Sequence, residues 1–397
     1  MSTILYFGND WNTDNRTSSH HIARRLARQH EVYYVECPGL RAPRGGGRDF
    51  RKILQKLRKF LAGSKEVASG LRVQTILQVP LHRFALVRWL NARLIHWSIR
   101  WMMWRRGIRR PILWFVVPHM ASLVGQLGES LSVYYCIDDY ASLPDVDVAA
   151  VRSMDNVLTR KCDLVFVASD TLLAAKAALN PHTYYSPHGV DAEHFARARA
   201  SDGSVPDDVR SLPRPVIGFF GLIERWIDVD LVAYLAKKRP DWMFLMIGRV
   251  ALPAADVPQL ANLHFIGQRR YEELPRYGRL FSAAIMPFKL TKESWHANPL
   301  KLREYLAMGL PVVSVAIPEA DKFADVIEIA HNREEFLAQL DKVIQQPDSQ
   351  EAAKRRMDRV ASLSWEARVA EVLRLVQERL ERNPSIPRLA PYELLAR

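Results

Sequence analysis

Short apolar runs alternate with amphipathic stretches along the whole chain, and this rhythm predicts its secondary structure. Near the start, residues 4–7 form an apolar strand, residues 22–26 carry helical spacing, and residues 32–35 form the next strand. This order of strand, loop, helix and strand is typical of a parallel α/β sheet covered by helices. The same rhythm restarts at residue 216, after a polar stretch at 196–214 with linker composition. We therefore expect two doubly wound α/β domains, because 397 residues also exceed one ordinary core.

Three segments follow from this pattern. Residues 1–198 form the first α/β domain, and residues 212–364 form the second. Residues 365–397 hold a final amphipathic helix and a proline-containing tail.

Polar residues and glycines cluster where predicted strands end, and ligands of parallel sheets bind at these carboxyl ends. The first domain places a Gly8–Asn9–Asp10 loop there, with Arg16 shortly after it. A plain surface turn remains the alternative for this loop. Other predicted strands of the first domain are followed at their carboxyl ends by His119, Asp138 and Asp139. Those of the second domain are followed by Gly221, Arg225, Gly248 and Arg249.

A helix in the second domain has the features of a phosphate site. Asn298 is a good N-cap, Pro299 suits the first helical position, and Gly309 suits the left-handed position after the helix. A helix start favours phosphate through its free N–H groups and its dipole. Lys301 and Glu304, three residues apart, lie on one side of the helix, as a cation for a diphosphate and a carboxylate for ribose hydroxyls. A nucleotide sugar, the donor in sugar transfer, needs such a pair, and we expect its site at Asn298, Pro299, Leu300, Lys301 and Glu304.

Composition narrows the class of protein further. The net charge of +13 predicts attraction to an acidic partner, such as nucleic acid, an anionic membrane or a phosphorylated ligand. Three cysteines without a C-x-x-C pair favour a reducing compartment over a disulfide framework or a zinc site. The N-terminus lacks a basic signal-peptide region, and no uncharged apolar run reaches the length of a membrane span.

The stretch at residues 81–110 is unusual, with eight arginines, four tryptophans and no acidic residue. Apolar side chains recur there every three or four residues, which predicts one face of a helix: Leu86, Leu90, Leu94, Trp97, Trp101 and Trp104. One interpretation is an interfacial helix on anionic lipid, formed by Arg93, Trp97, Arg100, Trp101 and Trp104. The other is that this stripe packs on the sheet of its own domain, with the arginines as a solvated rim. Both interpretations stay open.

Several motifs resemble those of family 4-like glycosyltransferases with the GT-B fold. The run Ser186-Pro187-His188-Gly189-Val190-Asp191, with Phe195, resembles the P-N-G-V-D…F element of that group, with His188 where Asn is usual. The run from Asn298 to Val313 resembles its donor-site helix, and Trp365 opens a helix that resembles the segment returning to the first domain. Gly221 to Asp228 and Ser132 to Asp139 look most like teichuronic-acid-type enzymes, with likeness to the glucuronosyltransferase of xanthan synthesis. The resemblance implies two Rossmann-like domains facing a cleft, with the last helix crossing back.

The resemblance also bears on mechanism. Family 4 retaining enzymes carry a carboxylate eight residues before the ribose-binding Glu, where this chain has His296. An inverting reaction is therefore expected, with Asp138 as its base by resemblance to the xanthan enzyme and with Asp139 or His119 as alternatives. No acidic D-x-D pattern lies where a metal–diphosphate bridge would need it, and Asp145 and Asp147, which fit by spacing, lie in a proline-containing loop. We therefore expect no metal and no cofactor beyond the nucleotide sugar.

These implications lead to a functional hypothesis. The chain would be a peripheral membrane glycosyltransferase on the cytoplasmic face, using a nucleotide sugar with UDP favoured. Its acceptor would be lipid-linked or a polysaccharide, its surface partner an anionic membrane, and no nucleic acid is expected. Two alternatives remain: a basic membrane- or nucleic-acid-binding protein on a non-catalytic GT-B fold, and a nucleotide-sugar epimerase.

Overall fold

The computed structural model describes residues 2–11, 16–37, 63–76, 85–143, 146–199, 204–291, 298–346 and 348–382, with residues 85–88 as backbone only. The chain divides into two compact units. Unit 1 comprises Met1–Pro187 with Arg368–Arg397, and unit 2 comprises His188–Ala367. This division lies before the polar stretch at 196–214. Phe195, which lies between the division and that stretch, is buried against Phe220 and Tyr271 and therefore belongs to unit 2.

Unit 1 contains one sheet of eight strands in the described part of the chain. Its strands are β1 (Thr3–Gly8), β2 (Glu31–Glu36), β3 (Lys65–Ala68), β4 (Leu71–Thr75), β5 (Ile112–Phe115), β6 (Leu131–Cys136), β7 (Leu164–Val167) and β8 (Thr183–Tyr185). Their order is β3-β4-β2-β1-β5-β6-β7-β8, and every pair is parallel except β3 with β4. The parallel core agrees with the expected α/β class.

Helices connect these strands. They are α1 (Ser18–Leu26), α2 (Ala85–Arg106), α3 (Val148–Lys161) and α4 (Asp170–Ala177), with short 3-10 turns at Pro118–Leu123 and Tyr140–Ser142. One face of the sheet packs aliphatic and aromatic side chains against the buried side of α2. The other face carries a row of rings with neighbouring centroids 5.2–6.2 Å apart: Tyr34, Tyr6, Trp114, Tyr135, Phe166 and Tyr184. Offset aromatic neighbours of this kind stabilise adjacent strands.

Unit 2 contains a six-stranded parallel sheet in its described residues. Its strands are β9 (Val216–Phe220), β10 (Met243–Ile247), β11 (Leu263–Gly267), β12 (Ala283–Met286), β13 (Val312–Val315) and β14 (Glu328–Ala330), in the order β11-β10-β9-β12-β13-β14. Its helices are α5 (Ala192–Ala196), α6 (Val229–Lys238), α7 (Leu274–Gly278), α8 (Leu300–Ala307), α9 (Pro318–Asp321), α10 (Arg333–Gln345) and α11 (Gln350–Ala361). The chain then runs into α12 (Trp365–Glu381), most of which belongs to unit 1.

Each parallel sheet has a carboxyl edge, where its strands end and where the loops with the candidate residues begin. In unit 1, the neighbouring strands β1, β5 and β6 lead to the Gly8 loop, to His119 and to Asp138. In unit 2, the neighbouring strands β9 and β10 lead to Gly221 and Gly248. The fold therefore collects the sequence-predicted residues at one edge of each sheet.

The packing of α2 corrects one sequence-based interpretation. The residues that pack into unit 1 are Ile95, Ile99, Met102 and Met103, whereas Trp97 and Trp104 are exposed. The predicted stripe is therefore not the face that packs on the sheet.

No helix among the described residues is long and apolar enough to cross a membrane.

Candidate functional site

Two glycines at the carboxyl edge of unit 2, Gly221 and Gly248, let backbone and side chains approach closely. Gly221, which follows β9, donates its N–H to Ile247 at 2.8 Å, and Gly248 donates to Gly267 at 2.9 Å. Gly221 has φ +145° and Gly248 has φ +146°, a region that favours glycine. A β-carbon on Gly248 would overlap the carbonyl oxygen of Gly221. A β-carbon on Gly221 would overlap Lys301 Cε and lie 2.6 Å from its Nζ.

Lys301 therefore lies directly over the bare backbone of Gly221. Its Nζ is 5.9 Å from the ring centroid of Phe219. Glu304 stands one turn further along α8, on the same side of the helix. Within the part of the chain that the structure describes, neither side chain forms a hydrogen bond or an ion pair. Both charged groups thus remain available to a ligand.

The environment of this pair shifts both pKa values. Burial raises the pKa of Glu304 to about 7; Lys301 lowers it in part, and Asp191 raises it further. Burial also lowers the pKa of Lys301, which the charge of Glu304 partly offsets. A cation and a carboxylate with weakened solvation gain more from a bound polar ligand than the same groups would in water.

The start of α8 differs from the sequence-based expectation. Pro299, not Asn298, occupies the N-cap position, and no side chain in the described part of the chain caps the helix. The Asn298 side chain instead accepts a hydrogen bond from Arg303 Nη1 at 2.6 Å. Arg303 is 2% exposed, and its Nη2 contacts Glu319 Oε1 at 2.5 Å. Among the described residues, no side-chain acceptor caps the first N–H groups of α8, which suits an incoming phosphate.

Contacts along α8 hold it in place. The N–H of Phe220 donates to the Tyr305 hydroxyl at 2.9 Å, which ties α8 to the end of β9. At its other end, the carbonyl of Gly309 accepts from Arg199 Nη2 at 3.2 Å and from Arg356 Nη2 at 2.9 Å. Gly309 has φ +68°, as predicted for the residue that ends this helix. Cationic groups at a helix C-terminus also complement its dipole.

Arg225 and Arg249 lie on adjoining loops of the same edge. Ile223 donates its N–H to the Arg249 carbonyl at 3.0 Å, and Ile227 closes a turn on Glu224 at 2.8 Å. Lys289 then anchors this turn by donating to the Trp226 carbonyl at 2.8 Å. Both arginine side chains are exposed.

The segment that begins unit 2 joins this site through Asp191. His188 is buried, and burial followed by the charge of Arg303 lowers the pKa of His188 to about 3, so its ring is neutral. The Val190 N–H donates to the Leu363 carbonyl at 2.9 Å, and the N–H of Trp365, the first residue of α12, donates to the Val190 carbonyl at 3.2 Å. A β-carbon on Gly189 would lie 2.8 Å from Trp365 Cα. This packing holds Asp191 at a position from which its charge acts on Glu304.

At the carboxyl edge of unit 1, the two acidic candidates have different surroundings. Asp139 caps the turn at Tyr140–Ser142: its carboxylate accepts from the Ala141 N–H at 3.2 Å and from the Ser142 hydroxyl at 2.5 Å. Asp138 is exposed, and its carboxylate accepts from the Asp139 N–H at 2.9 Å. Asp139 is therefore occupied by a structural role, and Asp138 is the better candidate for a base.

His119 lies in the 3-10 turn that follows β5, and it is partly exposed. Because β5 lies between β1 and β6, His119 shares the carboxyl edge with the Gly8 loop and Asp138. Both of its ring nitrogens are buried, which argues against the reserve role as a base that was predicted for it.

The Gly8 loop is held rigidly. A β-carbon on Gly8 would lie 2.5 Å from Tyr34 Cζ and 2.6 Å from Ser19 Oγ. Tyr34 donates to the Asn9 carbonyl at 2.8 Å, and His20 Nε2 contacts the Asp10 carbonyl at 3.2 Å. Burial lowers the pKa of His20 to about 4, so this histidine is neutral.

Two further residues complete this loop. Arg16 is partly exposed just before α1, and Trp11 donates its N–H to Glu36 Oε1 at 3.2 Å. The guanidinium of Arg24 lies 5.0 Å from the Trp11 ring. Glu36 and Arg24 thus hold Trp11 directly after the Gly8 loop.

Some predicted residues lie elsewhere. His296 and Asp145 are outside the described residues. Asp147 caps α3 by accepting from the Ala150 N–H at 3.0 Å. Among the described residues, no group of three His, Cys, Asp or Glu side chains is arranged to hold a metal ion.

Sequence reasoning missed Arg303, Tyr305, Trp11 and His20. An arginine inside the apolar run of a helix, as at Arg303, is the one signal that was available, because buried arginines need partners. The other three act through neighbours far along the chain.

Comparisons with known proteins agree with this geometry. Residues 214–346 match the family model for glycosyl transferases group 1, a range that contains Gly221, Lys301 and Glu304. The chain is 24% identical over 392 residues to the putative teichuronic acid biosynthesis glycosyltransferase TuaH of Bacillus subtilis (strain 168), covering 92% of this chain and 94% of that one.

Two solved structures share this fold over nearly the whole chain. Sucrose-phosphate synthase (tll1590) from Thermosynechococcus elongatus has a TM-score of 0.70 and 14% identity, covering 96% of this chain and all of that one. Anabaena Alr3699/HepE in complex with UDP and glucose has a TM-score of 0.62 and 13% identity, covering 97% of this chain and all of that one. The sequence leaves open a glycosyltransferase, a non-catalytic binding protein and a nucleotide-sugar epimerase, and the group 1 match favours the glycosyltransferase. Residues 214–346 of unit 2 match glycosyl transferases group 1, and the solved structures share the fold along nearly the whole chain. The chain is therefore a glycosyltransferase of the GT-B fold.

Proposed function

We propose that this glycosyltransferase moves a sugar from a UDP-sugar to a hydroxyl of a lipid-linked or polysaccharide acceptor in cell-surface polysaccharide synthesis. The observation that carries the proposal is the Lys301–Glu304 pair on one side of α8 beside Gly221, where neither side chain has a hydrogen-bond or ion-pair partner among the described residues. UDP is favoured because the Anabaena enzyme of the same fold was solved with UDP and glucose. The acceptor class follows the name of the Bacillus relative, a putative teichuronic acid biosynthesis enzyme.

In the proposed reaction, unit 2 holds the donor. The diphosphate lies at the start of α8, where free N–H groups, the helix dipole and Lys301 stabilise its negative charge. Glu304 accepts hydrogen bonds from the two ribose hydroxyls. Arg225 and Arg249 on the adjoining loops add positive charge as the nucleoside diphosphate departs.

Unit 1 supplies the base. Asp138 takes the proton from the acceptor hydroxyl as the oxygen attacks the anomeric carbon, and the bond from that carbon to the diphosphate breaks. One displacement inverts the anomeric configuration. A positioned base contributes roughly 10²–10⁴-fold to the rate. The proposal includes no metal, because Lys301 and the arginines carry the positive charge that a cation would otherwise supply.

The proposal also includes location. A lipid-linked acceptor would bring the chain to the cytoplasmic face of the plasma membrane as a peripheral protein. The net charge of +13 favours an anionic bilayer surface.

Thermal shift with a panel of nucleotide sugars tests the donor proposal. One UDP-sugar is expected to raise the unfolding temperature, since a ligand at about 100 times its Kd adds roughly 2.7 kcal/mol. Glu304→Ala and Lys301→Ala should remove the shift. Glu351→Ala and Lys237→Ala, which change exposed residues of the same unit, should keep it. A shift that survives Glu304→Ala would contradict the assignment.

Product analysis tests the chemistry. Transfer should proceed in the presence of EDTA and invert the anomeric configuration, as read by NMR of the product. Retention of configuration, or loss of transfer with EDTA, would overturn the corresponding part of the mechanism.

A further inference from the structure

Helix α2 of unit 1 is apolar on two opposite sides. One side carries Ile95, Ile99, Met102 and Met103, which are buried in the core of unit 1. These residues repeat with helical spacing and account for the packing of α2 on its own sheet. A helix that serves its own core alone needs no second apolar side.

The second side points away from that core and is exposed. Trp97 is 55% exposed and Trp104 is 78% exposed, with Trp89 and Leu90 on the same side. Seven large apolar side chains are exposed in the described parts of the chain, and four of them lie on this side of α2. Single exposed apolar residues are normal, whereas a cluster marks an interaction surface.

Arginines are interleaved with these tryptophans. The Arg93 guanidinium lies 5.1 Å from the Trp89 ring, and Arg100 is exposed along the same side. Trp97 stacks on Trp101 with centroids 6.1 Å apart, and the Arg105 guanidinium lies 4.9 Å from the Trp101 ring. No acidic residue occurs from residue 81 to residue 110. The surface is therefore both aromatic and uniformly positive.

We propose that this surface docks flat on a bilayer with anionic headgroups. We name it the Trp face, and it comprises Trp89, Leu90, Arg93, Trp97, Arg100 and Trp104. Indole rings favour the headgroup level because one part is apolar and the N–H is polar. The guanidinium groups meet lipid phosphates, so aromatic burial and charge pairing use the same helix side.

Charge complementarity favours lipid over two other occupants. A second copy of the chain would bring arginines against arginines, with no acid on this helix to compensate. A single-stranded nucleic acid would pair with the arginines and stack bases on the tryptophans, but it would leave Leu90 without an apolar partner. An anionic bilayer satisfies both groups at once.

This inference rests on the proposed function only in the purpose it gives to membrane docking, which is to keep the enzyme beside a lipid-linked acceptor. Binding to vesicles is measured without donor or acceptor. Its failure would therefore leave the nucleotide-sugar thermal shift untouched, and the two proposals can fail separately.

The test is sedimentation of the full chain with phosphatidylcholine vesicles, with and without phosphatidylglycerol. We expect binding to the anionic vesicles that weakens with salt. Trp97→Gln with Trp104→Gln should weaken it at least about tenfold. Arg93→Gln with Arg100→Gln should weaken it about fivefold per arginine on anionic vesicles.

Matched controls separate the Trp face from general positive charge. Arg152→Gln with Arg160→Gln removes the same charge from exposed positions of α3 in unit 1, and Leu290→Gln removes an exposed apolar side chain from unit 2. These variants should bind vesicles nearly as the wild type does. Equal losses from the α2 and α3 arginine pairs would overturn the proposal in favour of diffuse attraction.

Three further results would also overturn it. Unchanged sedimentation of the double Trp variant would exclude the Trp face as the contact. A dimer in analytical ultracentrifugation that Trp97→Gln with Trp104→Gln dissociates, without vesicle binding, would assign the face to a second copy. Retention by an oligonucleotide, lost in the same variant and without vesicle binding, would assign it to nucleic acid.

Discussion

Arg303 holds the side chain of Asn298 away from the helix that Asn298 was expected to cap. Its Nη1 lies 2.6 Å from Asn298 Oδ1, and its Nη2 pairs with Glu319. The guanidinium also lies 5.3 Å from the Phe323 ring. One buried cation thus organises the chain before α8 and leaves the helix start open.

This network makes Arg303 a stability determinant. Arg303→Met leaves the buried Glu319 with Lys322 as its remaining ionic partner, 3.0 Å away. We expect a loss of roughly 3 kcal/mol in the free energy of unfolding, measured by urea denaturation. Arg303→Met with Glu319→Gln should recover part of it, because no buried charge is then left uncompensated. Equal stability of the single and double variants would argue against this account.

The glycines at the carboxyl edge of unit 2 predict a contrast. In Gly221→Ala, the new methyl group meets the flexible end of Lys301, so the lysine moves and the nucleotide-sugar thermal shift is lost. The left-handed φ adds about 1–3 kcal/mol of destabilisation. In Gly248→Ala, the methyl group meets the Gly221 carbonyl, which is backbone, so stability should fall further.

Gly267→Ala is the matched control for this pair. Its φ is +74°, and the nearest atom to an added β-carbon is Arg269 Nη1 at 3.9 Å. Only the conformational cost of about 1 kcal/mol is expected. If all three alanine variants lose stability equally and keep the shift, the close approach at Gly221 has no functional role.

Glu304 should make stability depend on pH. Its pKa is raised from 4.5 to about 7, so the folded state keeps a proton that the unfolded chain has lost within this window. The stabilising contribution is complete below the lower value, falls as pH rises through the window, and is lost above about pH 7. Urea denaturation at several pH values should show this fall.

Glu304→Gln removes the titrating group. Its stability relative to the wild type should therefore increase from about pH 5 to about pH 8. Glu351→Gln, at an exposed position, should follow the wild type. Parallel pH profiles for all three proteins would contradict the raised pKa.

Asp138 and Asp139 should respond differently to amide substitution. Asp139→Asn keeps one acceptor oxygen for the turn at Tyr140–Ser142 and loses the other, with a loss of about 0.5–1 kcal/mol and some activity retained. Asp138→Asn should leave stability and the donor thermal shift intact while lowering kcat by roughly 10²–10⁴-fold. If Asp138→Asn retains full transfer and Asp139→Asn abolishes it, the base is Asp139.

Much of the site followed from local pattern. Strand periodicity located the loops after β1, β6, β9 and β10, and the three-residue spacing placed Lys301 and Glu304 on one side of α8. The prediction that Asn298 caps α8 was wrong. Its side chain suits an N-cap, but it accepts a stronger hydrogen bond from Arg303, a charged group buried in the same unit. Capping preferences are local, and this tertiary pair competes with them.

The sequence of α2 predicted a helix but not its orientation. Apolar residues occur on two sides of this helix, and spacing alone does not say which side a sheet will cover. Packing chose Ile95 and Ile99, whose side chains fit the interior of unit 1, and left Trp97 and Trp104 exposed. The choice depends on the shape of a core built from distant strands.

By itself, the sequence determined the α/β class, the two-part organisation and the residues at the carboxyl edges, because hydrophobic period and strand-end chemistry are local properties. Tertiary structure alone decided that Lys301 lies over Gly221, that Arg303 claims Asn298, and that the tryptophans of α2 face outward. These are relations between groups distant along the chain or between alternative helix sides. They depend on close packing, which fixes distances that periodicity leaves free.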